Sequence, residues 1–270
     1  MYPQASSITI GIDPIAFTIG SVEVKWWSII FVISVLVILL WLWRFGRGFG
    51  IKPEFVVGLV AVAVLVGLVV SRLVHIIDMP DYYASHPAEV IGLEGLTIFG
   101  GILGAALGSW IYCRLRGVSF APLIDMAVPG IILAQAVGRI GCTINGCCGG
   151  EPTSLPWGFI YTHLDSQASY LGVAVHPTQV YQIIWNLIVF AILFWVLRGR
   201  LKPDGSLFIA YLALYSAGAL TIRFFRAGTS FLGPLHEGQL ISVLILAVTI
   251  PLLIARTRWV KGQAEEEAAS

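Results

Sequence analysis

Seven apolar stretches, each long enough to cross a bilayer, constrain this chain more than any other feature: Trp26–Trp43, Phe55–Ile77, Leu96–Cys113, Pro122–Ile140, Thr178–Leu197, Leu207–Phe225 and Leu240–Ala255. A spanning helix needs roughly 17–25 mostly apolar residues, because hydrocarbon offers no hydrogen bonds to an open backbone. Only 11% of the residues are charged, where a soluble domain would carry about 25%. The pattern predicts an all-α, polytopic membrane protein forming one integral-membrane domain over residues 1–270. The third and fourth stretches are rich in Gly and Ala, which lets helices approach closely inside a bundle. A net charge of +1 and the lack of any basic arm exclude a nucleic-acid partner. No cofactor motif is present, so no cofactor is expected.

Orientation follows from the basic residues of the short loops. Arg44, Arg47 and Lys52 follow the first stretch, Arg114 and Arg116 the third, Arg198, Arg200 and Lys202 the fifth, and Arg256, Arg258 and Lys261 the seventh. Segments Asp78–Gly95 and Gly141–Pro177 contain no Lys or Arg. The asymmetry predicts an external N-terminus and a cytoplasmic C-terminus, with residues 1–25 outside and 259–270 as a cytoplasmic tail ending in the solvated run Glu265–Ala269. Within the first segment, "IDPIAFTIGSVEVKWW" alternates apolar and polar residues around Gly20 and Ser21. It reads as a hairpin leading to Trp26 and Trp27 at the membrane interface, and it lacks the layout of a cleavable signal peptide.

Charged residues inside such stretches are costly and usually face the bundle interior. Arg72, Arg139, Arg223 and Arg226 all fall toward the external ends of their spans. Arginines gathered on one leaflet suggest an anionic ligand, because the guanidinium fork matches phosphate bidentately. The alternative is snorkelling to lipid headgroups. Arg139 stands in "GRIGCTINGCCGG", Gly138–Gly150, where glycines admit close approach and Asn145 adds an amide that donates and accepts. This block reads as a polar backbone cradle around an anion.

A second polar island, "HPTQVYQ", spans His176–Gln182. Pro177 suits the opening turn of the fifth helix, Gln179 sits in its first turn, and a helix N-terminus favours anions. His176 titrates near neutrality and suits a general base, with a helix-capping role as the alternative. Cys142, Cys147 and Cys148 have a C-x4-C-C spacing that matches no common zinc ribbon. Three readings stay open for them: a metal site completed by His163 or His176, a disulfide, or small buried thiols. No metal is expected in the main reading.

Taken in order, "IDPIAFTIGSVEVKWW", Arg72, "GLTIFGGILG", Asp125, "GRIGCTINGCCGG", "HPTQVYQ", "FFR" and "GQLIS" resemble the prolipoprotein diacylglyceryl transferase family of bacterial inner-membrane enzymes over essentially the whole chain. The resemblance implies seven spans in a multi-pass protein of the bacterial plasma membrane. It also implies transfer of a diacylglyceryl group from phosphatidylglycerol to the lipobox cysteine thiol of prolipoprotein precursors, with membrane lipids as surroundings. Gly138, Arg139, Gly141, Asn145 and Gly146 match the family's Gly-Arg-x-Gly and Asn-Gly block. Arg139 is then the phosphate ligand, with Gly138, Asn145 and Gly146 shaping the headgroup site. Arg72, Arg226, Gln179 and Gln239 are the further substrate contacts, and His176 is the base.

Several positions depart from the family. Phe99 stands where the family carries a histidine, Trp27 replaces a tyrosine, and Cys147 replaces a carboxylate. Counting back from "FFR", the family's arginine and glutamate of the sixth span fall on Ala219 and Arg223. Three functions remain compatible with this pattern. They are the prolipoprotein transferase, a phospholipid-dependent transferase with another acceptor, and a non-catalytic lipid-binding or transport protein on the same scaffold.

Overall fold

The computed structural model describes residues 7–20, 22–91, 95, 97–228 and 236–260. Among them, seven helices have the length and apolarity to cross a bilayer, so the chain is a multi-pass membrane protein. They are α1 (Trp26–Gly46), α2 (Pro53–Asp78), α4 (Ile98–Leu115), α5 (Phe120–Asn145), α6 (Thr178–Ala191), α7 (Ser206–Ile222) and α8 (Glu237–Arg256), with a short α3 (Pro80–Ser85) after α2. Helix α6 runs on as a wider π-type turn over Ile192–Leu197. Large apolar side chains such as Leu40, Leu65 and Leu244 are 60–66% exposed, which a hydrocarbon solvent satisfies and water would not.

Helix ends follow local chemistry. Pro53 opens α2, where its missing N–H costs nothing. Helix α8 begins before the predicted Leu240 because the Gln239 side-chain oxygen accepts the His236 backbone N–H at 2.9 Å, closing a capping box. Helix α5 runs past the predicted Ile140 to Asn145. Gly138 and Gly141 face Ser34 and Ile30 of α1, so these two glycines serve helix packing. Leu96, Ser21 and the tail Glu265–Ala269 lie outside the described residues.

The chain divides into two compact units, residues 39–126, and residues 1–38 with 127–270. In the first, Gly100, Gly104 and Gly108 form a buried stripe on α4 against Val66, Gly67 and Val70 of α2. A Cβ on Gly104 would sit 2.6 Å from the Val66 carbonyl oxygen, so only glycine permits this approach. Trp41 donates its indole N–H to the Met126 carbonyl at 2.9 Å.

The second unit carries the irregular structure. Strands β2 (Ile15–Ile19) and β3 (Val22–Lys25) form the predicted hairpin, with Gly20 at φ 63°. Strand β1 (Ile8–Ile10) pairs in parallel with β4 (Phe159–Tyr161), tying the N-terminal segment to the long α5–α6 connection. Strands β5 (Leu201–Lys202) and β6 (Arg258–Trp259) join the segments after α6 and α8.

Candidate active site

Three sequence blocks meet in the second unit through their backbones. Gly150 N–H donates to the His176 carbonyl at 3.0 Å, and His176 N–H to the Glu151 carbonyl at 3.0 Å. Glu151 N–H donates to the Phe225 carbonyl at 3.0 Å, and Ala227 N–H to the Gly149 carbonyl at 3.1 Å. The glycine-cysteine turn, the start of α6 and the end of α7 are thereby fastened together. Gly150 is required here, because a Cβ would fall 2.5 Å from both the His176 Cβ and the Phe225 carbonyl oxygen.

A pocket opens where they join. Arg139 from α5 lines it together with Arg223 and Arg226 from the end of α7. Cys148, Gln179 and Tyr215 line it as well, and Thr178, Gln182, Ala219 and Ile222 complete the wall. Among the described residues, no carboxylate lies within ion-pair distance of any of the three arginines. Three guanidinium groups with no carboxylate partner favour an anion that offsets their mutual repulsion. Gln179 is 1% exposed. Its amide N–H groups reach the Cys147 carbonyl at 2.8 Å and the Tyr161 hydroxyl at 3.4 Å, while its oxygen has no partner among the described residues. A buried acceptor left open beside three cations points to a ligand that brings both a donor and negative charge.

The three cysteines of the turn converge, their sulfurs within 4.8 Å of one another, and all are free thiols. Asn145 ends α5, Gly146 turns at φ 81°, and Cys148 holds φ 64°, uncommon for a residue with a side chain. Thr178 donates its hydroxyl to the Cys148 carbonyl at 2.6 Å, which with Gln179 holds the turn in this shape. Arg139 Nη1 reaches Cys142 Sγ at 3.9 Å. Hydrogen bonds from Cys142 and Cys147, then the nearby arginines, hold the Cys148 thiol well below its ordinary value, so it is the one that ionises first. Burial pushes the adjacent Tyr161 hydroxyl up and keeps it neutral.

The chain is similar over residues 14–255 to the family model described as prolipoprotein diacylglyceryl transferase. The chain belongs to the prolipoprotein diacylglyceryl transferase family. A relative from Dehalococcoides mccartyi named phosphatidylglycerol–prolipoprotein diacylglyceryl transferase is 42% identical, the match covering 92% of this chain and 95% of that one. Relatives of the same name are 34% identical in Bacillus cereus (94% and 95% covered) and 32% identical in Clostridioides difficile (86% and 90% covered).

Of the contacts expected from the sequence, Arg139, Gln179 and Arg226 line the pocket. The others have different neighbours. Asn145 donates its side-chain amide to Gln167 Oε1 at 2.9 Å, and its carbonyl accepts the Gln167 N–H, so it anchors the α5–α6 connection. Gly146 packs against Ser166, and Gly138 faces Ser34. Gln239 is buried in the α8 capping box. Arg72 belongs to the first unit, where it donates to the carbonyls of Val90 and Gly95 at 3.2 Å and to that of Glu89. His163 sits 3.9 Å from Asp13 and 3.8 Å from Asp165, apart from the thiols it was weighed against.

His176 stands beside the pocket wall. Its Nδ1 lies 3.3 Å from the Tyr181 hydroxyl, which also accepts the Trp157 indole N–H at 3.0 Å, and its ring leans on Phe225. Burial lowers its pKa from the ordinary 6.5, so it is neutral at pH 7. The amides of Thr178, Val180 and Tyr181 are committed to His176 and Pro177 carbonyls. The start of α6 therefore offers less to an anion than the sequence suggests.

Tyr215, Thr178, Gln182 and Cys148 went unassigned as pocket residues in the sequence. The signal for Tyr215 was its spacing: Tyr215, Ala219, Ile222 and Arg223 recur at helical intervals along one face of α7. Ala219 and Arg223 line the same pocket one turn apart, so at this end of α7 the guanidinium comes from Arg223 and the small Ala219 leaves room beside it.

Proposed function

We propose that this protein transfers a diacylglyceryl group from phosphatidylglycerol to the lipobox cysteine thiol of prolipoproteins. It does so on the external leaflet of the bacterial plasma membrane, with its N-terminus outside and its C-terminus in the cytoplasm. The observation that carries this reading is the pocket of Arg139, Arg223 and Arg226, which holds no carboxylate among the described residues and includes the open Gln179 oxygen.

The chemistry follows from those groups. Phosphatidylglycerol presents a phosphodiester carrying a glycerol with free hydroxyls. The arginine forks take the phosphate oxygens, and the Gln179 oxygen accepts a glycerol hydroxyl. Attack by the thiol sulfur on the glyceryl carbon breaks the carbon–oxygen bond, leaving the electron pair on the phosphate. The added charge grows between guanidinium groups already in place, and such preorganised stabilisation is the largest rate term in many enzymes. The thiol must lose its proton, and neutral His176 is the base that receives it.

Purified protein, phosphatidylglycerol labelled in its acyl chains and a short lipobox peptide test the reading directly. Label appearing on the peptide cysteine, with release of glycerol phosphate, is the expected result. If the labelled lipid binds but no thioether forms on the peptide, while a known family enzyme modifies it, the proposed reaction is wrong.

A further inference from the structure

We infer that Cys142, Cys147 and Cys148 form a zinc site whose open fourth position takes the acceptor thiol. This rests on the proposed transfer and revises the expectation that no metal is needed.

The geometry carries the inference. Zinc holds thiolates at about 2.3 Å, which puts the sulfurs of a tetrahedral site roughly 3.8 Å apart. The three sulfurs here already lie within 4.8 Å of one another, so a small contraction completes the set. Their convergence is held by the left-handed Cys148 backbone and by the Thr178 and Gln179 bonds to the cysteine carbonyls. A non-glycine residue in that conformation persists only where the surroundings fix it, and such positions cluster at functional sites. Thiolates select soft or borderline metals, not magnesium or calcium. Three thiolates around a divalent zinc leave one net negative charge, and Arg139, 3.9 Å from Cys142 Sγ, stands ready to offset it.

Structural zinc sites fill all four positions with protein ligands, whereas catalytic sites supply three and leave one open. Among the described residues no fourth His, Cys, Asp or Glu ligand joins this cluster. Cys148 also lines the arginine pocket, so the cluster borders the place proposed for the phosphate.

The site answers a difficulty in the reaction. A free thiol titrates near 8.5 and an ordinary histidine near 6.5, so proton transfer between them is about a hundredfold uphill before burial weakens the base further. A thiol that binds zinc gives up its proton readily. The metal-bound sulfur then forms the carbon–sulfur bond as the carbon–oxygen bond breaks, and the electron pair leaves on the phosphate. The proton passes to His176 and then to water. The product thioether is neutral and binds zinc weakly, so it departs and frees the position for the next thiol.

The test uses the whole protein in detergent micelles, reduced and stripped with a chelator, then given zinc sulfate or cobalt chloride alone. About one metal per chain is expected, with an intense thiolate-to-cobalt absorption and ligand-field bands of a tetrahedral site. Cys142→Ser and Cys148→Ser should lose the metal, and Cys113→Ser should keep it. A lipobox peptide with its cysteine should shift the cobalt bands, while the same peptide with serine should not. Zinc removal should lower transfer at least about a hundredfold, with recovery on zinc addition. Fully reduced wild-type protein that binds neither metal overturns the inference, as does a native disulfide joining two of the three cysteines or a cobalt spectrum blind to the thiol peptide. Full transfer by metal-free protein sinks the zinc site and leaves the proposed function standing. Metal binding and a peptide response without transfer would do the reverse.

Discussion

Arg72 and Arg139 both lie in apolar helices, and the two units treat them oppositely. In residues 39–126, the Arg72 donors run to the backbone carbonyls of Glu89, Val90 and Gly95, and its guanidinium lies 5.0 Å from the Tyr83 ring centre. It holds a loop in place. In the other unit, Arg139 shares a pocket with Arg223 and Arg226, and none has a carboxylate within ion-pair distance among the described residues. The residue type is the same. What separates a structural arginine from a ligand-binding one is the destination of its N–H groups.

That contrast can be broken by mutation. Arg139→Lys keeps the charge and loses the fork, so turnover should fall on the order of 10²–10³-fold, as when one preorganised donor is removed from a transition state, with no change in melting temperature. A small effect, read in the labelled-lipid assay, would make Arg139 structural like Arg72. His176→Gln should lower kcat by about 10²-fold with little change in lipid binding. Because burial lowers the His176 pKa below 6.5, the neutral base survives mild acid. The wild-type rate should therefore fall as pH drops through a midpoint below 6.5, and that limb should vanish in the variant; a midpoint above 6.5 would assign the base elsewhere.

Weaker effects sharpen the comparison. Gln179→Glu places a negative charge beside the bound phosphate, and KM for the lipid should rise by about tenfold, the scale of 1–2 kcal/mol for a spoiled polar contact, with a smaller change in kcat. An unchanged KM would show that the open oxygen meets no ligand. Arg72→Met should affect transfer least of all. It strands the loop carbonyls instead, lowering stability by about 1–3 kcal/mol and speeding amide exchange through residues 87–91. A loss of turnover as large as that of Arg139→Lys would erase the distinction between the two units.

The spans were legible because lipid imposes one requirement over each whole helix, and composition alone expresses it. Ends were legible only where a local device marks them, as Pro177 does for α6, which begins at Thr178. The α8 cap joins His236 to Gln239 across the predicted boundary, and α5 continues through a glycine-rich run that reads as a loop. In the site, arginines in apolar surroundings announced themselves by cost, whereas Tyr215 needed the helical period of α7 to be followed through an apolar stretch. Asn145 could not be placed, since its partner Gln167 is distant in sequence and no local rule links them. Convergence of three cysteines was a spacing in the sequence and became a cluster only through the left-handed turn at Cys148.

The backbone crossing of Gly149–Glu151, His176 and Phe225–Ala227 also sets an order of events. Helices of a membrane protein can form and span the bilayer individually before they associate. Contacts between residues far apart in sequence must wait for the loops between them to close. The arginine pocket therefore does not exist while the chain is being threaded into the membrane. It arises only when α7 has emerged and its end has docked on the glycine-cysteine turn. A chain halted after α6 would possess Arg139, the thiols and His176, yet have no phosphate site, so lipid recognition doubles as a report that assembly is finished.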